Sequence, residues 1–156
     1  MIRLRRLSSD LNKINELVDK NDTLISFQCE GNPPDRYIFE VKCKGIVGLL
    51  GEKPKVAKKH RFEVYLHVDY PRRPPHVKML SPIFHPNMLS PENNGGVCLG
   101  SWAPAQSLDL FVTQIMDMIQ YKNYSPSISS ALDLTAAKWA RNNQDIFPID
   151  DKEFIF

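Results

Sequence analysis

Residues 81–104 constrain the fold more than any other segment, because they divide the chain into a strand-rich half and a helical half. The segment is rich in proline and glycine and shows no helix or strand periodicity. It still contains apolar side chains that a disordered linker would lack, namely Ile83, Phe84, Val97, Leu99 and Trp102. Loops of this length in compact domains are usually functional or disordered. The sequence therefore predicts an ordered, functional loop.

The half before this loop predicts one helix followed by strands. Apolar residues recur every three or four positions in the first twenty residues, which predicts a helix whose inner face carries Leu4, Leu7, Leu11, Ile14, Leu17 and Val18. Alternating, β-branched or aromatic runs predict strands over 36–44, 61–68 and 76–80, with 24–29 as a further edge strand. The basic run 53–61 is interpreted as a solvated loop. Short connections between these strands indicate an antiparallel meander.

Two helices are predicted after the loop. The first covers 108–121, is apolar over a wide face and has Ser107 as its N-cap. The second runs from Ser129 to Arg141, with an inner face formed by Leu132, Ala136 and Trp139. The order helix, sheet, ordered loop, helix, helix predicts a single α+β domain covering residues 1–156.

Composition excludes several classes of protein. The chain has 156 residues, of which 42% are apolar and 24% charged, as in ordinary globular proteins. No run approaches the roughly 20 apolar residues of a membrane span, and the N-terminus lacks a signal-peptide pattern, so we expect a cytoplasmic protein with no membrane partner. The net charge of +2 gives no case for a nucleic-acid partner.

Three cysteines, an odd number without metal-ligand spacing, support neither a disulfide framework nor a metal site. Cys29 and Cys43 belong to strand-like runs and are interpreted as small buried side chains. Cys98 instead follows the glycine pair of the ordered loop, where the backbone can approach another group closely. This context makes Cys98 the candidate for chemistry. No charged residue lies within five positions of it, so local sequence predicts a thiol that is not strongly activated.

His85, Pro86 and Asn87 precede Cys98 in the same loop. A lone histidine is more often structural than catalytic, and we interpret His85 as structural. The Asn87 amide has two possible roles, which are compatible with each other. It can donate a hydrogen bond to a developing oxyanion, or it can stabilise the loop as an Asx-type turn.

Four motifs in this order closely resemble those of the ubiquitin-conjugating enzymes. They are Tyr70-Pro-x-x-Pro-Pro75, His85-Pro-Asn87, Gly96-Val-Cys-Leu99 and Trp102-x-Pro104 before a helix, and the resemblance extends from the N-terminal helix to about Arg141. Each motif alone is weak, whereas the set is specific. The resemblance implies an N-terminal helix, a four-stranded antiparallel meander and C-terminal helices.

The resemblance also implies a function and its partners. Cys98 would accept a ubiquitin-like modifier protein from an activating enzyme as a thioester and pass it to an amine, with no cofactor. Asn87 would stabilise the attack intermediate or hold the loop, and His85 with Pro86 would support that loop. The basic side chains of the first helix would help to dock the activating enzyme, although a solvated face fits them equally well: Arg3, Arg5, Arg6 and Lys13. A ligase would use the surface near Ile83, Phe84, Trp102 and Pro104, and a protein substrate is a further expected partner.

The chain departs from the family pattern at several points. The segment from Asn87 to Cys98 is longer than usual, and the one from Cys98 to Trp102 is shorter. Residues 121–128 contain no acid where the family has an acidic loop that orients the incoming lysine. Tyr124, Ser125 or Ser127 would occupy that acceptor gate. These departures indicate a divergent member, compatible with a bacterial ubiquitin-like conjugation system.

Two other functions stay open. The first is an inactive binding module of the same fold, but such modules characteristically lack the cysteine that this chain retains. The second is a cysteine hydrolase that uses Cys98 with one of four histidines as its base, namely His60, His67, His76 or His85. No convincing acid that could orient these histidines is adjacent to them in sequence.

Overall fold

The computed structural model describes residues 2–125, 127, 131–147 and 149–156. Its helices are α1 (Ile2–Lys20), α2 (Leu108–Ile119) and α3 (Leu134–Asn142). Its strands are β1 (Ile25–Gly31), β2 (Pro34–Val41), β3 (Gly45–Leu50), β4 (Lys53–Ala57), β5 (His60–Tyr65) and β6 (His76–Met79). Short 3-10 helices occupy Pro91–Asn93 and Gln144–Ile146.

Four strands form one antiparallel sheet in the order β1-β2-β5-β6. Its inner face is aromatic: Phe39 pairs with Phe62 across β2 and β5, and the Tyr37 ring stacks on Phe39 at 5.4 Å. All three rings are buried under α1 and α2. The predicted α+β class, with a helix, a four-stranded antiparallel meander and C-terminal helices, is confirmed.

The loop predicted over the basic run 53–61 is wrong. Residues 53–57 form β4, which pairs with β3 in a two-stranded hairpin between β2 and β5. The connection between β2 and β5 is consequently longer than the short one predicted. Backbone pairing, such as that of Ile46 with Val56, creates this hairpin. Its charged strand lacks the apolar alternation by which a strand is recognised in sequence.

Helix α1 packs on the sheet through Leu7, Ile14 and Leu17. Leu4, predicted on this inner face, is 52% exposed. The first turn is attached to the protein by polar contacts, because the Arg3 guanidinium donates to the backbone carbonyls of Leu66, His67 and Tyr70. The first turn of α1 is therefore held in place by these hydrogen bonds, although Leu4 is exposed.

Asp10 joins α1 to α2 inside the protein. Its side chain is 1% exposed and accepts from Arg6 Nε at 2.9 Å, from the Leu108 backbone N–H at 3.1 Å and from the Tyr70 hydroxyl. Ser107 occupies the predicted N-cap position of α2, but its side chain makes no capping bond. The Asp10 carboxylate instead satisfies a free N–H at this helix N-terminus, where negative charge is favoured.

The two C-terminal helices are shorter than predicted. Helix α2 ends at Ile119 rather than Tyr121, because Tyr121 takes a left-handed backbone conformation with φ 61°. Helix α3 begins at Leu134, where the Asp133 side chain accepts from the Ala136 N–H at 3.0 Å. The predicted start at Ser129 lies outside the described residues. Leu132 is 42% exposed and precedes the helix, whereas Ala136 and Trp139 are buried as predicted.

A second apolar cluster attaches the hairpin to α3. It contains Ile46, Tyr121, Trp139 and Ala140, with Leu49, Phe84, Tyr124 and Phe147 packed against it. The Trp139 indole N–H also donates to the Glu52 carbonyl at 3.0 Å, at the tip of the hairpin. The hairpin is thus a packed part of the domain, on the same side as the loop that follows α2.

We predict that Asp10→Ala lowers the free energy of unfolding by about 3 kcal/mol, because Arg6 and the Leu108 N–H lose a buried charged partner. Urea denaturation measures this change. Asp19→Ala, on the exposed face of α1, is the matched control and should stay within about 0.5 kcal/mol of the parent protein. Equal stability of the two variants would contradict the role given to Asp10.

Candidate functional site

The loop 81–104 is ordered by its own hydrogen bonds. The Ser90 hydroxyl donates to the Ile83 carbonyl at 2.8 Å and accepts from the Ile83 N–H at 2.9 Å. Gly95 has φ 73° and packs against β6, where an added Cβ would lie 2.6 Å from the Met79 carbonyl oxygen. Only glycine fits there, which agrees with the close backbone approach expected of the glycine pair. The prediction of an ordered loop is confirmed.

Cys98 is exposed and lies at a cleft of about 300 Å³. Its backbone N–H donates to the Asn87 carbonyl at 2.9 Å, so the Cys98 strand-like segment runs beside Asn87. The side chains and backbone that line this cleft, called here the Cys98 cleft, belong to Asn87, Cys98, Leu99, Gly100, Met118, Asn123, Tyr124 and Ser125. The structure therefore brings four of the sequence-predicted residues together: Cys98, Asn87, Tyr124 and Ser125.

Four other lining residues were not identified from sequence. Leu99 and Gly100 adjoin Cys98, and Asn123 adjoins the predicted gate, so proximity in sequence was an available signal. Met118 gave no signal, because it looks like any apolar residue of the buried face of α2. Among the described lining residues there is no carboxylate and no histidine. The cleft therefore supplies a thiol, amides and hydroxyls, but no strong base.

Asn87 connects the Cys98 loop to the segment after α2. Its Nδ2 donates to the Ser125 carbonyl at 3.1 Å, and its Oδ1 accepts from the Ser125 N–H at 2.8 Å. This reciprocal pair also assigns the amide orientation, because a flipped amide would oppose donor to donor and acceptor to acceptor. Asn87 is 5% exposed, so the pair is largely shielded from competing water.

His85 is buried beneath this loop and is 0% exposed. Its Nδ1 accepts from the Asn87 N–H at 2.9 Å, so the ring proton of the neutral form is on Nε2. Burial lowers the pKa of His85 to about 3. The backbone carbonyl of Met118 opposes this shift without cancelling it. His85 is thus a neutral ring inside the protein, behind Asn87 and Tyr124, and is not itself among the residues that line the Cys98 cleft.

The predicted gate residues differ in position. The Tyr124 ring packs edge-on against His85 at 6.5 Å and against Phe147 at 5.2 Å, and burial raises the pKa of its hydroxyl. Tyr124 therefore presents a neutral hydroxyl near neutral pH. Ser125 contributes its backbone to the bonds with Asn87. Ser127 is exposed but is not among the residues that line the Cys98 cleft.

The other two cysteines differ from each other. Cys43 is 1% exposed, as predicted, and burial raises the pKa of its thiol to about 12, assisted by the nearby Asp150 carboxylate. Cys29 is exposed, so its interpretation as a buried side chain is wrong. It lies near the end of edge strand β1, whose last four residues are exposed. All three cysteines are free thiols.

The predicted partner-binding side chains of α1 divide into two pairs. Arg3 and Arg6 are used internally: Arg6 donates to the carbonyls of Pro104 and Gln106 and to the Tyr70 hydroxyl, besides Asp10. Arg5 and Lys13 are exposed. Only the second pair is therefore free to meet another protein.

The residues of the predicted ligase surface differ in their exposure to solvent. Phe84 is half-buried, and its ring contacts Trp139 at 6.0 Å in the second apolar cluster. Trp102 is half-buried too, and its indole N–H donates to the Pro71 carbonyl at 2.8 Å. Pro104 is exposed, and Val68 in the neighbouring loop is 79% exposed. The accessible part of this surface is formed by the loops around Val68 and Pro104, while Ile83 is buried.

The described residues lack two kinds of feature. No group of three or more histidine, cysteine or acidic side chains there could hold a metal ion. Within the same residues, no helix has both the length and the apolar character needed to cross a membrane.

Comparisons with known proteins agree with this geometry. The family model described as ubiquitin-conjugating enzyme matches residues 8–152. The NEDD8-conjugating enzyme UBC12 of Yarrowia lipolytica is 33% identical over 91 residues, which cover 56% of this chain and 47% of that protein. Ubiquitin-conjugating enzyme E2 2 of Saccharomyces cerevisiae is 30% identical over 100 residues, covering 60% of this chain and 54% of that protein. The chain thus spans about half the length of these curated relatives.

A solved structure gives the same comparison in three dimensions. The E2 domain of a Toxoplasma gondii ubiquitin conjugating enzyme superposes with a TM-score of 0.57 at 25% sequence identity. The match covers 86% of this chain and 87% of that one.

We predict that His85 makes the protein less stable in acid. Because the pKa of the folded state is about 3 and the ordinary value is 6.5, the unfolded state binds the extra proton, and stability falls as pH drops from 6.5 towards 3. Between pH 7 and pH 5 the parent protein should lose about 2 kcal/mol of unfolding free energy because of His85. The His85→Gln variant should not show this loss, and urea denaturation at each pH measures the difference. An unchanged pH dependence in this variant would show that His85 is not held neutral.

Proposed function

Since this chain belongs to the ubiquitin-conjugating enzyme family, we propose that it carries a ubiquitin-like modifier as a thioester on Cys98 and transfers it to an amine. The observation that carries this proposal is the exposed Cys98 thiol at a cleft whose other wall, residues 123–125, is held in place by Asn87. A thiol in this position can meet two large partners in turn, because nothing in the described chain covers it.

The charging step exchanges one thioester for another. The Cys98 thiolate attacks the carbonyl carbon of the modifier's C-terminus on the activating enzyme, and the new C–S bond replaces the old one. The departing thiolate of the activating enzyme takes up the proton that Cys98 lost, directly or through solvent. The two thioesters have similar free energy, so this step needs no further energy source.

The discharge step forms an amide. The nitrogen of the acceptor amine attacks the thioester carbon, an oxyanion develops, and the C–S bond then breaks to release the Cys98 thiolate. Asn87 supports this step in two ways. Its bonds to Ser125 hold the acceptor wall of the cleft, and the second N–H of Nδ2 remains for the oxyanion. Because Nδ2 and Oδ1 of Asn87 are both already hydrogen-bonded, the amide needs little reorganisation to donate this further bond.

The proton of the attacking amine leaves without help from a carboxylate. The described lining of the Cys98 cleft contains no acid, and the Tyr124 hydroxyl has a raised pKa, so it stays protonated. Tyr124 therefore positions the amine through a hydrogen bond and does not act as the base. Solvent takes the proton, and the rate of discharge should follow the fraction of acceptor amine that is unprotonated.

The geometry favours this reaction over the two alternatives. A hydrolase needs a base within hydrogen-bond reach of the thiol, and no histidine lines the Cys98 cleft in the described part of the chain. His85 is occupied by the Asn87 N–H and is neutral. A pure binding module would have no use for an exposed thiol beside an anchored amide.

The accessible surfaces indicate where the other proteins would bind. We assign docking of the activating enzyme to the exposed Arg5 and Lys13 on α1, and docking of a ligase to the loops around Val68 and Pro104. The family relatives include enzymes described for ubiquitin and for NEDD8, which supports a modifier of that protein class. We place the reaction in the cytosol, where thiols stay reduced.

We predict that Cys98→Ala abolishes the thiol-sensitive modifier adduct, and that Cys98→Ser converts it to a thiol-resistant ester. Intact-mass spectrometry after incubation with ATP, an activating enzyme and a ubiquitin-like protein measures both. Cys29→Ala is the matched control because Cys29 is also exposed, and Cys43→Ala removes the buried thiol. Neither control should change the amount of adduct. If either control lost the adduct as completely as Cys98→Ala does, the assignment to Cys98 would be contradicted.

We predict that Asn87→Ala slows discharge to free lysine by at least about tenfold and slows charging much less, because its partners are on the acceptor side of the cleft. Single-turnover assays of each step measure the difference. Tyr124→Phe keeps the ring packing and should slow discharge by a smaller factor. Asn142→Ala, on the exposed end of α3, is the control. A selective charging defect in Asn87→Ala would refute the acceptor-side role.

A further inference from the structure

A second cleft, of about 680 Å³, lies where the β3–β4 hairpin leaves the main sheet. Its rim and floor are mostly basic. The charged residues that line it are Lys42, Lys44, Lys58, Lys59, Lys152 and a single acid, Asp150, and we call this the lysine cleft. It is separate from the Cys98 cleft, since the two share no lining residue.

The backbone that carries these lysines is held rigidly. Residues 42–44 lead into the hairpin and residues 58–59 lead out of it, with Gly45 paired to Ala57 between them. The buried His60 ring lies against Gly45, and its Nε2 contacts the carbonyls of Cys43 and Ala57, both at 3.1 Å. One buried imidazole thus joins both connections. The lysines consequently start from fixed positions around the opening.

The positive charge in this cleft is only partly compensated by the protein. Lys59 pairs with Glu40 at 3.5 Å and Lys152 with Asp151 at 3.9 Å. The described residues provide no ion pair for Lys42, Lys44 or Lys58, and all three are exposed. Asp150 directs its carboxylate to backbone N–H groups instead, at 3.1 Å from Lys44 N and 2.9 Å from Asp151 N. The cleft therefore attracts negative charge from outside.

We propose that the lysine cleft binds an acidic polypeptide segment of the acceptor protein, an inference that rests on the proposed function. Carboxylates are the groups that suit it. It contains neither an arginine fork nor an aromatic side chain among its described lining residues, so bidentate phosphate binding and base stacking are not provided for.

The link to the acceptor comes from the segment that follows α2. Lys122 donates from Nζ to the Lys152 carbonyl at 2.8 Å, beside the lysine cleft, while residues 123–125 line the Cys98 cleft. The two clefts therefore flank one short segment. An acidic segment held in the lysine cleft keeps a neighbouring lysine of the same polypeptide near the thioester. Such tethering raises the effective concentration of the amine and so replaces part of the selection that an acidic gate would provide.

Fluorescence anisotropy with a labelled octaglutamate peptide tests binding without any thioester. The variant Lys42→Glu/Lys44→Glu/Lys58→Glu should bind the peptide at least about tenfold more weakly than the parent protein, since three favourable charge pairs become repulsive. The control Lys20→Glu/Lys53→Glu/Lys138→Glu carries the same change in net charge at exposed lysines outside the cleft, and should bind like the parent. Rising salt should weaken parent binding.

Three results would overturn the binding proposal. They are absence of octaglutamate binding by the parent at low salt, equal weakening in the two triple variants, and preference for a single-stranded oligonucleotide over the peptide. Thermal melting of both triple variants verifies that they remain folded. Because the assay needs no modifier, it gives its answer whether or not Cys98 carries one.

Discharge from charged Cys98 tests the acceptor role. A peptide with one lysine followed by glutamates should be modified about tenfold faster than the same peptide with serines. The cleft variant should lose this preference while its discharge to free lysine stays unchanged. If Cys98 is charged normally but the glutamate peptide is modified no faster than the serine peptide, only the acceptor role is overturned. Failure of all charging by a competent activating enzyme would overturn the proposed function and, with it, the acceptor role, while leaving the peptide-binding result to stand separately.

Discussion

The site depends on the short segment 85–87, because its hydrogen bonds hold three separate parts of the chain together. The Pro86 carbonyl accepts from the Leu132 and Asp133 N–H groups, at 2.8 and 3.2 Å, just before α3 begins. The Asn87 carbonyl accepts from the Cys98 N–H, and the Asn87 side chain exchanges two bonds with Ser125. The thiol, the wall opposite it and the start of the last helix are therefore positioned by three consecutive residues. Loss of the bonds made by Asn87 would let one side of the Cys98 cleft move relative to the other.

His85 makes this segment insensitive to pH near neutrality. A neutral ring with Nδ1 as acceptor can hold the Asn87 N–H only while it is unprotonated, and burial ensures that it stays so down to about pH 3 in the folded state. The cost appears as reduced stability in acid, since the unfolded chain gains the proton first. A buried imidazole is used in the same way at His60. Burial also lowers the pKa of His60, and its ring joins the two ends of the hairpin. Both histidines are thus structural elements of the clefts beside them.

Local pattern was sufficient to predict the main elements, and failed wherever long-range contacts decide the structure. The spacing of Leu7, Ile14 and Leu17 predicted α1, and alternation predicted β2 and β5, because each element buries one face. The strand over 53–57 was missed, since its pairing partner and not its own pattern makes it a strand. Arg3 and Arg6 looked available to partners, but their hydrogen bonds go to carbonyls more than sixty residues away, which no local pattern reveals. The roles of Cys98, Asn87 and the gate residues remain predictions, now with a geometry in which each can be tested.

Our proposal is that the Cys98 cleft holds a thioester for transfer to an amine, instead of passing it to water. Its most direct test is a time course of intact mass for the charged protein after the activating enzyme has been removed, with and without added free lysine. We expect an adduct that persists in buffer and disappears on addition of lysine, with the lysine amide of the modifier as product. Equal loss of the adduct in both conditions, with free modifier as the product, would contradict it and identify the cleft as that of a hydrolase.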